Sequence, residues 1–208
     1  MPLSMKNSNP LSLSSNGKRK SAFSPYKPTA TVLTNLQRGN TEANVQVEVN
    51  LSFHERAGQG EITELQARQL SNIDELDKNN FTSLHWACYY GQLSAVKILI
   101  KCGANVSMLA TDLVSPLLLA AAGGHHEIVR LLLQHGANPN HSDIMGNTAL
   151  MFATAGNHPH TCNELMLFKP NLFQMNENNE TAYSLALKNN SYLAQAVIEN
   201  HVIGLLTF

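Results

Sequence analysis

The sequence predicts an all-α fold, a solenoid of about five stacked helix–turn–helix units preceded by a disordered N-terminal arm. Three observations carry that expectation. Landmarks recur every 33 residues: Thr82, Ser115, Thr148 and Thr181; Ala87, Ala120, Ala153 and Ala186; Gly91, Gly124, Asn157 and Asn190. Whole phrases recur with them, since "TSLHWACYYGQLSAVKILIKCGANVS" (82–107) returns altered as "SPLLLAAAGGHHEIVRLLLQHGANPN" (115–140). Residues 1–45, by contrast, are rich in Ser, Asn, Pro and Lys with little apolar periodicity, a composition that cannot bury a core.

The elements follow in order. Residues 46–208 divide into units of roughly 48–76, 77–109, 110–142, 143–175 and 176–208. In each, a Thr or Ser hydroxyl caps a short first helix, and a small Ala lets the next helix pack closely. A second helix shows in apolar spacing such as Ile128, Val129, Leu132 and Leu133. Gly103 and Gly136 then supply the left-handed residue that ends it. No unit buries its apolar face alone, so the units must stack. The first is degenerate, with Arg56 where a packed Ala is usual, and the last runs into "AQAVIENHVIGLL" without another turn.

Charge and composition narrow the function. The net charge is −1, but residues 1–47 carry six Lys or Arg against Glu42 alone, and residues 48–208 carry eight against fourteen acids. An acidic body lacks the basic face that phosphate-backbone binding needs, so DNA is expected only indirectly, through a complex. Cys88, Cys102 and Cys162 have neither paired nor metal-type spacing, the N-terminus lacks a signal-peptide core, and no apolar run reaches membrane-spanning length. These features point to an intracellular protein with free thiols and no membrane insertion. There is no phosphate-binding Gly-rich loop and no His-Glu-x-x-His pair, and His85, His125, His126, His158 and His160 read as turn or surface residues. The expectation is a non-enzyme without metal, cofactor or small-molecule substrate. In the arm, Lys18, Arg19 and Lys20 form a candidate nuclear-import signal beside Ser24-Pro25, a candidate phosphosite; a solvated tail is the plainer reading.

The candidate site is a trough. The two residues before the Gly or Asn that ends each first helix are Tyr89/Tyr90, Ala122/Gly123, Ala155/Gly156 and Lys188/Asn189. Two adjacent units thus offer almost no side chain beside a unit offering two aromatics, which suits the close approach of an extended, proline-containing peptide. Trp86, Leu119 and Phe152 repeat at one position and read either as a groove wall or as packing between helices; Leu119 favours core, Trp86 a partner site.

The period and the "T-x-L-H-x-A" opening of residues 82–87 resemble the ankyrin repeat. Within it, "TVLTNLQRGN" (31–40), "FHERAGQGEIT" (53–63), "LHWA" (84–87), "AGNHPHTC" (155–162) and "QAVIENHVIGLL" (195–206) are similar, in order, to a narrower family. That family comprises the ankyrin-containing subunit of the regulatory factor X complex and the ankyrin repeat family A protein. The resemblance implies a transcription-regulatory adaptor, in the nucleus and also the cytoplasm. Its groove would take Pro-x-Leu-Pro-x-Leu/Ile segments of regulatory factor X proteins or class IIa histone deacetylases. It implies groove roles for Trp86 and for Phe152, which stands in place of a Tyr, and an acceptor role for Asp143. Ile144 replaces the turn-tip Trp of the family and is expected to carry apolar contact in the groove with Trp86, Tyr89, Tyr90 and Phe152, while "ATDLV" (110–114) lacks the family's charged character. The alternative is capture of a folded partner, as a receptor-tail adaptor or inhibitor, through the turn tips Lys78, Asn79, Ile144, Met145 and Asn178.

Overall fold

The computed structural model describes residues 51–206, and the arm, with Lys18, Arg19, Lys20 and Ser24, lies outside them. Ten α-helices follow in pairs: α1 (Phe53–Gln59) and α2 (Glu64–Arg68), α3 (Ser83–Tyr89) and α4 (Leu93–Lys101), α5 (Pro116–Gly123) and α6 (His126–Gln134), α7 (Ala149–Ala155) and α8 (Pro159–Met166), α9 (Ala182–Lys188) and α10 (Tyr192–Leu206). No strand occurs among the described residues, only an isolated bridge between Ser142 and Thr148.

Every first helix starts on a side-chain cap. Ser52, Thr82, Ser115, Thr148 and Thr181 each accept the N–H of the residue three further on, an interaction worth about 1 kcal/mol. The helices α4, α6 and α8 have no such bond; Gln92, His125 and His158 hold their cap positions, and both imidazoles reach into the preceding unit instead. Gly103 and Gly136 follow α4 and α6 at φ 92° and 90°, the left-handed conformation that ends a helix with least strain.

First helices pack on first helices and second on second, giving two layers in which each unit touches its neighbours. Ala87, Ala120, Ala153 and Ala186 are wholly buried, and Leu84, Leu99, Leu118, Ile128, Leu132, Leu150 and Leu165 are buried with them. A buried Leu of this kind contributes roughly 1.5–3 kcal/mol relative to exposure. Buried His85 ties two units: Thr82 N–H donates to its Nδ1 (3.2 Å), so Nε2–H donates to the carbonyl of Val114 (3.2 Å). Burial pushes its imidazole down to about 4, which keeps it neutral at pH 7.

The turns between units mostly close on an Asp or Asn. Asp77 accepts the N–H of Asn79 and Phe81, Asp143 those of Met145 and Asn147, and Asn176 those of Asn178 and Glu180. The third unit has Ala110 at this position and turns through a short 3₁₀ segment, Thr111–Leu113. Three turns place Asn80, Gly146 or Asn179 in the left-handed region; this one places Asp112 and Leu113 there, at φ 61° and 58°. A branched residue in that conformation carries strain of roughly 1–2 kcal/mol.

Candidate functional site

The trough region is built by the C-terminal ends of α3, α5 and α7. On α3, Trp86 and Tyr90 stack at 6.0 Å, and Tyr90 meets Tyr89 edge-on at 5.0 Å. Such pairs exceed the value of their buried area by about 0.5–1.5 kcal/mol. The stack lies over α1 because residue 58 is glycine: a Cβ there would stand 3.0 Å from Tyr90 Cδ2 and 3.2 Å from Trp86 Cε3. The indole Nε1–H donates to Asp77 Oδ2 at 3.0 Å.

These facts correct the expectation for Trp86. The indole is only 7% exposed, held by Gly58, Tyr90 and its own turn, so it supports the groove wall from behind. Leu119 and Phe152 are buried as well, and the repeated position is a packing position. What the wall presents is Tyr89 and Tyr90, both half-buried.

Asp143 is corrected too. Its carboxylate is buried and accepts from Met145 N–H, Asn147 N–H and the Asn147 amide, so it stabilises its own turn rather than facing a ligand. Burial pushes its carboxyl above the usual range, and the three hydrogen bonds oppose that shift. Ile144, beside it, is exposed, and its N–H donates to the carbonyl of Asp112 (3.1 Å), joining one turn tip to the next.

The trough is narrower than its missing side chains suggest. The His125 ring lies where Cβ atoms on Gly91 and Gly123 would fall, 2.5 and 2.4 Å from it, and its Nε2–H donates to the carbonyl of Tyr89 (3.2 Å). His158 repeats the arrangement one unit on, beside Gly124, with Nε2–H donating to the carbonyl of Ala122 (3.3 Å). Burial lowers the affinity of the His125 ring for a second proton. Glycine at these points thus makes room for the protein's own imidazoles. Beyond them, Ala122, Ala155 and Gly156 are half-buried and Gly123 is exposed, a band of small residues beside the tyrosines.

Sequence reasoning missed Gly58 and the wedged role of His125 and His158. A signal for the latter was present: Gly91 precedes His125, and Gly124 precedes His158, by 34 residues each. Among the described residues no group of three or more His, Cys, Asp or Glu could hold a metal ion, and no helix is long and apolar enough to cross a membrane. Cys88, Cys102 and Cys162 are free; burial pushes the Cys162 thiol up to about 11 and that of Cys88 higher still.

The pattern described as "Ankyrin repeats (3 copies)" matches residues 52–143 and 117–204. The chain belongs to the ankyrin-repeat family. As such it is a protein-interaction module. Human "Ankyrin repeat family A protein 2" is 39% identical over 106 residues, covering 50% of this chain and 34% of that protein. Human "DNA-binding protein RFXANK" is 37% identical over 99 residues, covering 46% of this chain and 38% of that protein. The ankyrin repeats also match part of an enzyme, human "Palmitoyltransferase ZDHHC13", 42% identical over 83 residues, 39% of this chain and 13% of that one. The chain thus spans little more than a third of the first two relatives.

Proposed function

We propose that this ankyrin stack is a non-enzymatic adaptor whose trough captures an extended peptide of a transcription-related partner. The observation that carries the reading is the step from the half-buried Tyr89/Tyr90 pair to Ala122 and then Ala155/Gly156 across adjacent units, with the His125 ring filling the space beside Gly123. Aromatic faces hold proline and leucine side chains, and a band without bulk admits the peptide backbone. The likeness to RFXANK supports regulatory factor X proteins as partners, and class IIa histone deacetylases are the other partner class this reading proposes. RFXANK is named a DNA-binding protein; for this chain, DNA contact through such a complex fits the acidic body better than direct contact. Nuclear localisation, shared with the cytoplasm, belongs to the same reading.

A labelled Pro-x-Leu-Pro-x-Leu peptide titrated by fluorescence anisotropy tests it. Tyr90→Ala should weaken binding by about 2 kcal/mol, roughly thirtyfold, as truncated aromatic anchors do. Ala122→Trp should block the peptide sterically. Full affinity in both folded variants refutes the trough.

A second reading rests on the turn tips. Leu113, Ile144 and Met145 are exposed apolar side chains at consecutive tips, and Leu113 holds a strained backbone. This row would grip a folded partner. Ile144→Asp abolishing capture of an intact partner, with peptide affinity unchanged, would select it.

A further inference from the structure

The outer side of the last helix pair is unlike that of the three pairs before it. The position of Tyr183 on α9 corresponds, at the 33-residue period, to Leu150, Leu117 and Leu84, and that of Leu187 to Thr154, Ala121 and Cys88. All six earlier residues are at most 1% exposed. Tyr183 is 37% exposed and Leu187 51%. The earlier positions lie in the seam where the first helix of the next unit packs. Among the described residues no helix lies against the same seam on α9, and its Tyr183 and Leu187 are left exposed.

A cavity of about 470 Å³ opens on this face, bordered by Phe173, Tyr183, Ile198, Glu199, Val202 and Ile203. Phe173 stands 83% exposed at its rim. The charged group on the lining is Glu199, which accepts from the Tyr183 hydroxyl (2.9 Å) and the Gln195 amide (2.8 Å). Those bonds hold its carboxyl below the usual range, so it is ionised at pH 7. The nearby Lys188 ammonium is paired with Glu180.

We propose that this end face is a docking site for an amphipathic helix of a protein partner, one that lays an apolar side chain into the cavity and a Lys or Arg beside Glu199. A helix is the shape received by the equivalent seam in each preceding unit. The basic residue follows from charge: Glu199 is the ionised group on the lining, so a cation set beside it is favoured and a second carboxylate is not. The site is separate from the peptide trough and does not depend on it.

The test uses the full chain and a labelled helical peptide of about 14 residues, with Leu along one face and Lys on both flanks, beside a twin carrying Glu for Lys. Anisotropy at low salt should show the Lys peptide binding about tenfold or more tighter than its twin, a gap that narrows as salt screens Glu199. Leu187→Asp and Phe173→Ser, both solvent-facing and expected to keep the helical circular dichroism, should each weaken it about tenfold. Glu199→Gln should erase the preference for Lys, and Tyr90→Ala should change nothing. Equal affinity for both peptides, or undiminished binding by Leu187→Asp, overturns the proposal. So does concentration-dependent dimerisation of the chain that Leu187→Asp abolishes, which would make a second copy the occupant.

Discussion

Replacing Gly123 with alanine asks directly whether the trough is room for a guest or for an imidazole. Gly123 is the last residue of α5, and the added methyl would stand 2.4 Å from His125 Nε2 and 2.6 Å from Cδ2. No rotation of a methyl relieves that overlap, so the ring must leave. It then loses its bond to the carbonyl of Tyr89 and leaves that acceptor without it, at a cost of about 1–3 kcal/mol. Alanine itself favours the helix over glycine by about 0.5–1 kcal/mol. The net expectation is destabilisation of roughly 1–2 kcal/mol. In a His125→Ala background the overlap is gone and only the helix preference remains, so the same change should be neutral or mildly stabilising. Urea denaturation of the four proteins closes the cycle, and a coupling energy of about 1.5 kcal/mol or more is expected. Additive effects, or a stabilising Gly123→Ala in the native background, would show that His125 does not hold that space.

Three further expectations follow from the same geometry. His85 ionises near 6.5 when unfolded and at about 4 when folded, so the unfolded chain takes up a proton that the native one refuses. Stability should fall by about 1.5 kcal/mol between pH 6.5 and 5, above the carboxylate range, with His125 adding in the same direction; a flat urea midpoint across that window would contradict this. Leu113→Gly should relieve the left-handed strain and raise stability by about 1 kcal/mol, a melting shift of roughly 2–4 °C, and an unchanged or lower melting temperature would count against it. Gly58→Val should push the Trp86–Tyr90 stack off α1, costing about 1–3 kcal/mol and shifting the emission of the chain's one tryptophan; native emission would mean the stack accommodates it.

The sequence by itself determined the architecture, because a stack of units contacting only neighbours writes its packing into a period. Thr82, Ser115, Thr148 and Thr181 each cap a helix, Ala87, Ala120 and Ala153 are buried in the close contacts, and Gly103 and Gly136 take the left-handed stops. Each is decided within one unit or by the next, so spacing alone exposes it. The site was legible only in outline. A gap at Gly123 reads the same in sequence whether a ligand or His125 fills it, and Trp86 reads the same whether its indole faces water or Gly58. Those choices were made by tertiary structure, where the ring of one unit finds a carbonyl of another at 3.2 Å. The open seam on α9 is likewise invisible in the alternation of residues, since Tyr183 and Leu150 share a register and differ only in whether another helix lies against them.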